Sequence, residues 1–131
     1  VTQLMSLLHS KKTMRKKEFN VVSGEDSLTY SLMARGGAGV ISATANVIPA
    51  QIAQLVHTFE SGKMDAARRT QLELLEIIDM MFVETNPIPA KTACALMGLC
   101  RLEFRLPLCE MSDANLARLK TVLRKYLHVT R

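Results

Sequence analysis

Gly36-Gly37-Ala38-Gly39-Val40-Ile41-Ser42-Ala43-Thr44-Ala45-Asn46-Val47, with Asn86-Pro87-Ile88-Pro89-Ala90-Lys91 further along, decides how this chain reads. A glycine-rich turn runs into a short apolar strand, Val40-Ile41-Ser42, and then into a polar loop. Open α/β sheets present main-chain atoms to a ligand in this way, beyond the carboxyl ends of their strands. Gly39, Ala43 and Ala45 are small, which lets other backbone or a ligand approach closely.

Upstream, Phe19-Asn20-Val21-Val22-Ser23-Gly24 reads as another short buried strand, ended by glycine. Glu25-Asp26-Ser27 reads as a helix start, where carboxylates favour the positive end of the dipole. Leu28, Leu32 and Met33 carry that helix to Gly36-Gly37, which stop it. Earlier still, Val1, Leu4, Met5, Leu7 and Leu8 repeat at helical spacing, and the pattern dissolves between Ser10 and Lys17.

Downstream the chain turns wholly helical. Pro49 suits a first helical turn, and Ile52, Leu55, Val56 and Phe59 form one apolar face ending at Gly62. A single longer helix is expected from Asp65 to Phe82, with Leu72, Leu75, Ile78, Met81 and Phe82 facing inward. Each residue before a proline is pushed out of the helical region, so Asn86-Pro87-Ile88-Pro89 breaks the run. A short helix from Ala90 to Met97 ends at Gly98, and Leu106-Pro107-Leu108 is an extended connector. Ser112 is expected to cap a last helix with Leu116, Leu119, Leu123 and Tyr126 along one side.

The order is helix, strand, helix, strand, then four helices, an α/β pattern. A two-stranded parallel sheet cannot bury both its faces alone. Such a unit is expected to be a slice of a larger α/β structure, completed by polypeptide outside these 131 residues.

Composition narrows the function classes. Hydrophobic residues make up 48% of the chain, too many for a disordered one. No apolar run approaches the ~20 residues that span a bilayer, and no signal peptide is visible at the start. No membrane association is expected. The net charge of +5 comes from Lys11, Lys12, Arg15, Lys16 and Lys17; the other twelve basic residues equal the twelve acidic ones. A nucleic-acid footprint is a broader stripe with interleaved aromatics, and only Phe19 stands nearby, so a solvated helix end and loop is the reading, with no nucleic-acid partner. Cys94, Cys100 and Cys109 are an odd count without CxxC spacing, which argues against a disulfide framework or zinc site. Cys94 and Cys100, among Ala, Leu and Met, read as small apolar residues. A reducing cytoplasm fits best.

Four stretches together — Val22-Ser23-Gly24-Glu25-Asp26, Gly36 to Val47, Glu84-Thr85-Asn86-Pro87-Ile88-Pro89-Ala90-Lys91 and Arg105-Leu106-Pro107-Leu108 — resemble the dihydrodipicolinate synthase family. The likeness runs over essentially the whole chain. The glycine-rich stretch alone resembles the wider group of pyruvate-dependent class I aldolases, which includes N-acetylneuraminate lyase. The resemblance implies the C-terminal part of a (β/α)8 TIM barrel, holding its last two strands, plus a three-helix C-terminal extension. Residues 1–62 would then belong to the barrel and residues 63–131 to the extension. A full barrel typically takes about 250 residues.

The resemblance also implies a reaction. The family condenses pyruvate with aspartate 4-semialdehyde in lysine biosynthesis, using a lysine that forms a Schiff base with pyruvate and a proton-relaying tyrosine. Both are expected upstream of Val1, so no catalytic residue is assigned within this chain, and neither a cofactor nor a metal is expected. Lys91 follows two prolines at a helix start and reads as structural; Lys63 follows a helix-ending glycine and reads as solvated. Neither stands at the carboxyl end of a barrel strand, where this fold places its chemistry. By resemblance, the backbone at Ile41 contacts pyruvate, while Gly24 lets the ligand approach the adjacent wall.

The remaining polar candidates take structural readings. His9, His57 and His128 have no partner at metal-ligand spacing, and Tyr30 and Tyr126 are not the family's relay. Ser31, Ala34 and Arg35 lie on the helix that, in bacterial relatives, helps two dimers pair, so a homo-oligomer (a dimer of dimers) is expected. Two alternatives stay open: another pyruvate-dependent aldolase acting on a sugar acid, and a non-enzymatic helical module whose basic stretch recruits an acidic partner.

Overall fold

The computed structural model describes residues 2–13 and 19–127. Helix α1 (Thr2–Thr13) continues past Ser10, beyond where its apolar pattern fades. The side chains of the basic run Lys11–Lys17, and His128, lie outside the described residues.

Strands β1 (Val22–Ser23) and β2 (Gly39–Val40) pair in parallel, Val22 opposite Gly39 and Ser23 opposite Val40. Both are shorter than the Phe19–Ser23 and Val40–Ser42 runs expected. The ladder closes with Ala38 N–H donating to the Val21 carbonyl at 2.7 Å and Ile41 N–H donating to the Ser23 carbonyl at 2.8 Å. Val22 is 41% exposed and Ile41 72% exposed, so the apolar character of these strands is not spent within the described residues.

Between the strands lie a 3-10 turn at Asp26–Leu28 and helix α2 (Thr29–Met33). The chain reverses at Gly36, whose φ of +94° an L side chain rarely adopts. Gly37 N–H then donates to the Leu32 carbonyl at 3.0 Å. A Cβ on Gly37 would stand 1.8 Å from Leu32 Cδ2 and 3.0 Å from the Leu32 carbonyl, so a side chain there would force Leu32 to shift.

After β2, a 3-10 turn at Thr44–Asn46 leads into helix α3 (Pro49–Glu60), with its proline in the first turn as expected. Helices α4 (Met64–Glu73) and α5 (Leu75–Met81) replace the single helix expected from Asp65 to Phe82. The break at Leu74 redirects the apolar faces. Ile78 and Met81 are buried, but Leu72 is 60% exposed and Phe82 39% exposed. Instead α4 turns Ala67, Gln71 and, at its end, Leu74 inward, at i, i+4 and i+7 spacing.

Helix α6 (Ile88–Leu96) starts inside the Asn86-Pro87-Ile88-Pro89 motif, and Gly98 turns the chain away at its end with φ +76°. Helix α7 (Asp113–Leu127) closes the structure, burying Leu119, Val122 and Leu123. The main core links Val47, Ile48 and Ile52 to Leu74, Ile77, Ile78 and Met81 and on to Ile88, Ala93, Met111 and Leu119. It therefore sits among the helices and beneath the turn after β2, with Val40 packed against its margin.

Ser112 departs from its expected role. Its carbonyl accepts the Leu116 N–H, as an N-cap carbonyl does. Its hydroxyl and N–H, however, both donate to Glu84 Oε1, at 2.8 and 3.1 Å, and the Asn115 side chain adds a third donor at 2.8 Å. These donors, the Asn115 and Ser112 side chains first, hold the Glu84 carboxyl below its usual pKa of 4.5. Tyr126 likewise ties α7 back, donating to the Glu73 carbonyl at 2.8 Å, while burial and nearby Glu76 push its phenol above the usual 10.

Candidate functional site

The loops that leave β1 and β2 emerge side by side at the carboxyl edge, because parallel strands point the same way. They are joined by Asp26. Its side chain is 1% exposed, and Oδ2 accepts from Ala43 N–H at 3.2 Å, Thr44 N–H at 3.2 Å and Thr44 Oγ1–H at 3.1 Å. These donors open the turn after β2. A helix does start at Glu25-Asp26-Ser27, as expected, but the Asp26 side chain also reaches a turn seventeen residues further along. Glu25 caps that helix start, accepting from Ser27 N–H at 3.5 Å and Ser27 Oγ–H at 3.1 Å. Asp26 Oδ1 is buried without a hydrogen-bond partner in this structure.

A second long-range tie reinforces the first. Gln71 on α4 is 6% exposed; its Oε1 accepts the Tyr30 N–H at 3.1 Å and its Nε2 donates to the Asp26 carbonyl at 3.3 Å. Thr29 Oγ1 donates to the same carbonyl at 2.8 Å. Neither Asp26 nor Gln71 was singled out for these contacts by the sequence. An acidic residue at a helix start and a polar one on an amphipathic helix carry no local sign of a partner 17 or 45 residues away.

Gly24 and Ile41 stand at this edge. Gly24 is exposed, and a Cβ there would meet nothing within 4 Å. The Ile41 N–H is already given to Ser23, which leaves the carbonyl as the one main-chain polar group at Ile41 able to meet a ligand. The Ser23 hydroxyl is turned into its own loop, donating to the Glu25 carbonyl at 2.7 Å and accepting the Glu25 N–H at 3.1 Å.

The stretches Gly36 to Val47 and Asn86 to Lys91 meet across a cleft of about 480 Å³. Ala43 and Asn46 form one wall, and Asn86, Lys91, Cys94 and Cys100 form much of the other. The Lys91 ammonium donates to the Glu103 carbonyl and lies 5.3 Å from the centre of the Phe104 ring, so it braces the loop after α6. Lys63 is exposed at the N-terminal end of α4. Cys94 is half-buried and packs against the core as the small apolar residue expected, Cys100 is exposed, and neither is in a disulfide. Tyr30 packs edge-to-face on Phe59 at 5.6 Å, and Arg35 folds onto its own helix, donating to the Ser31 carbonyl at 2.8 Å. No helix among the described residues is long and apolar enough to cross a membrane.

Two parallel strands joined through a helix, with a buried carboxylate tying together the loops at their carboxyl edge, place the chain in the α/β class. The chain belongs to the dihydrodipicolinate synthetase family, whose model matches residues 2–126; its members are class I aldolase-type lyases. It is 51% identical over 109 residues to the 4-hydroxy-tetrahydrodipicolinate synthase of Pelobacter propionicus, which covers 83% of this chain and 38% of that protein. It is also similar to the crystal structure of dihydrodipicolinate synthase from Aquifex aeolicus, with a TM-score of 0.87 and 42% identity. That match covers 95% of this chain and 42% of the other. The corresponding enzyme from Thermotoga maritima gives a TM-score of 0.90 at 38% identity, with the same two coverages. The chain thus spans well under half the length of the relatives it matches.

Proposed function

We propose that this chain is the closing part of a Schiff-base-forming (β/α)8 lyase that condenses pyruvate with aspartate 4-semialdehyde in lysine biosynthesis. On this reading β1 and β2 are the last two strands of the barrel. Residues 1–62 complete the barrel and residues 63–131 form a helical extension. The observation that carries the proposal is the parallel β1–β2 pair, with its two carboxyl-edge loops clamped by Asp26, in a chain of this family.

The part assigned to these residues is positional. The Ile41 carbonyl and the open space at Gly24 would form one wall of the pyruvate pocket, and Asp26 would hold that wall at a fixed spacing. The nucleophilic lysine and the relay tyrosine are assigned to polypeptide preceding Val1. Lys91 has its ammonium committed to Glu103 and Phe104, which supports leaving it out of the chemistry. The working protein is read as a cytoplasmic homo-oligomer, a dimer of dimers, with Ser31, Ala34 and Arg35 exposed on α2 and just beyond it, where dimers would pair. Borohydride reduction of this chain in the presence of pyruvate tests the assignment. No lysine is expected to gain a reduced pyruvate adduct, and an adduct on Lys63 or Lys91 would overturn it.

A further inference from the structure

The cleft between the turn after β2 and α6 carries a pair of thiols that the proposed chemistry does not use. Cys94 lies in the last turn of α6. The Leu99 N–H donates back to the Cys94 carbonyl at 3.0 Å, and Gly98 supplies the positive φ that this reversal needs. The reversal returns residue 100 against the helix it has just left. Cys100 Sγ lies 3.8 Å from the Lys91 carbonyl, one turn before Cys94, and both cysteines line the same cleft. Cys94 Sγ faces the opposite wall, donating to the Asn46 carbonyl at 3.4 Å.

We propose that Cys94 and Cys100 form a dithiol site that reacts with low-molecular-weight disulfides and closes into an internal bridge. The exposed Cys100 is the first nucleophile. Its thiolate attacks one sulfur of the small disulfide, that S–S bond breaks, and one thiol leaves after taking a proton from solvent. Cys94 then gives up its proton and attacks the Cys100 sulfur, expelling the second small thiol. Two protein thiols are oxidised by two electrons and one small disulfide is reduced to two thiols.

The order of attack follows from the surroundings. Burial, and then the charge of a Cys100 thiolate, push the Cys94 thiol above its usual pKa, so it is the slower nucleophile and acts once a partner sulfur is adjacent. Closing the bridge also withdraws the S–H that Cys94 gives to Asn46. It thereby releases a contact between α6 and the turn after β2, so the oxidation state of the pair is felt at the pocket wall.

Both cysteines fall in one tryptic peptide, residues 92–101, bounded by Lys91 and Arg101. The folded chain is incubated with oxidised glutathione, quenched in acid and digested without reductant. The expected product is that peptide lighter by two hydrogen atoms, formed faster in the folded chain than in urea. Cys94→Ser should stall at a glutathione adduct on Cys100, and Cys109→Ser should leave bridging unchanged. A lasting glutathione adduct on Cys100 of the unsubstituted chain, or bridging no faster when folded than unfolded, would overturn the proposal.

Discussion

Replacing Asp26 with alanine and with asparagine should give sharply different results. Alanine removes the acceptor from three donors, Ala43 N–H, Thr44 N–H and Thr44 Oγ1–H, at a site where Asp26 and Thr44 are essentially inaccessible. Each buried donor left unsatisfied costs about 1–3 kcal/mol, and the costs overlap within one network, so Asp26→Ala should lose about 4 kcal/mol. Asparagine keeps one oxygen where Oδ2 stands and places its NH2 where the unpartnered Oδ1 stands. It loses the charge assistance to three bonds but also relieves the burial of a charge, for a net loss of about 1 kcal/mol. Urea denaturation followed by far-UV circular dichroism measures both. With a urea slope of about 2 kcal/mol per molar, the two midpoints should differ by about 1.5 M. Two results would refute the reasoning. A small loss with alanine would mean that the clamp contributes little, and asparagine as harmful as alanine would mean that Oδ1 has a donor after all.

Gly37→Ala should destabilise by about 1–3 kcal/mol through overpacking, since its Cβ would enter Leu32 Cδ2 at 1.8 Å and approach the Leu32 carbonyl at 3.0 Å. Adding Leu32→Ala should cost less in that background than alone, read from the same denaturation curves. Gly24→Val should leave stability within about 0.5 kcal/mol, because the site is open, whereas in a whole enzyme containing this chain it should raise the KM for pyruvate. Glu84 is held below its usual pKa of 4.5 in the folded state, so its contribution is fully present above that value and is lost as pH falls through the lowered one. Denaturation midpoints over a pH series should fall in this acidic window, and Glu84→Gln should flatten that part of the profile.

The sequence carried local punctuation well and long-range ties poorly. Gly36-Gly37, Pro49, Gly62 and Gly98 mark where elements stop and start, because φ and ring constraints act on the residue itself. The motifs around Ile41 and Asn86 were legible as a set, and the family match bears out their resemblance. The break at Leu74 was not, since neither glycine nor proline stands there. Which face of α4 turns inward is visible only in space: Gln71 is buried and bonded to Tyr30 and Asp26, while Leu72 stands outside. The helix start at Asp26 was legible, but its bonds to Ala43 and Thr44 were not, since a helix start and a cross-loop acceptor look identical along the chain. Ser112 followed suit, its donors taken by Glu84, 28 residues away.

The main core excludes both strands from its buried members and runs from Val47 to Leu123. That placement sets an order of loosening. Because the buried cluster is made by residues outside β1 and β2, amide protons of the strand ladder should exchange through small local openings while those of α5 and α7 wait for global unfolding. Asp26 and Gln71 are the polar pins that couple one regime to the other. The edge bearing Gly24 and Ile41 should therefore open ahead of its helical base, restrained by two side chains that would touch no substrate.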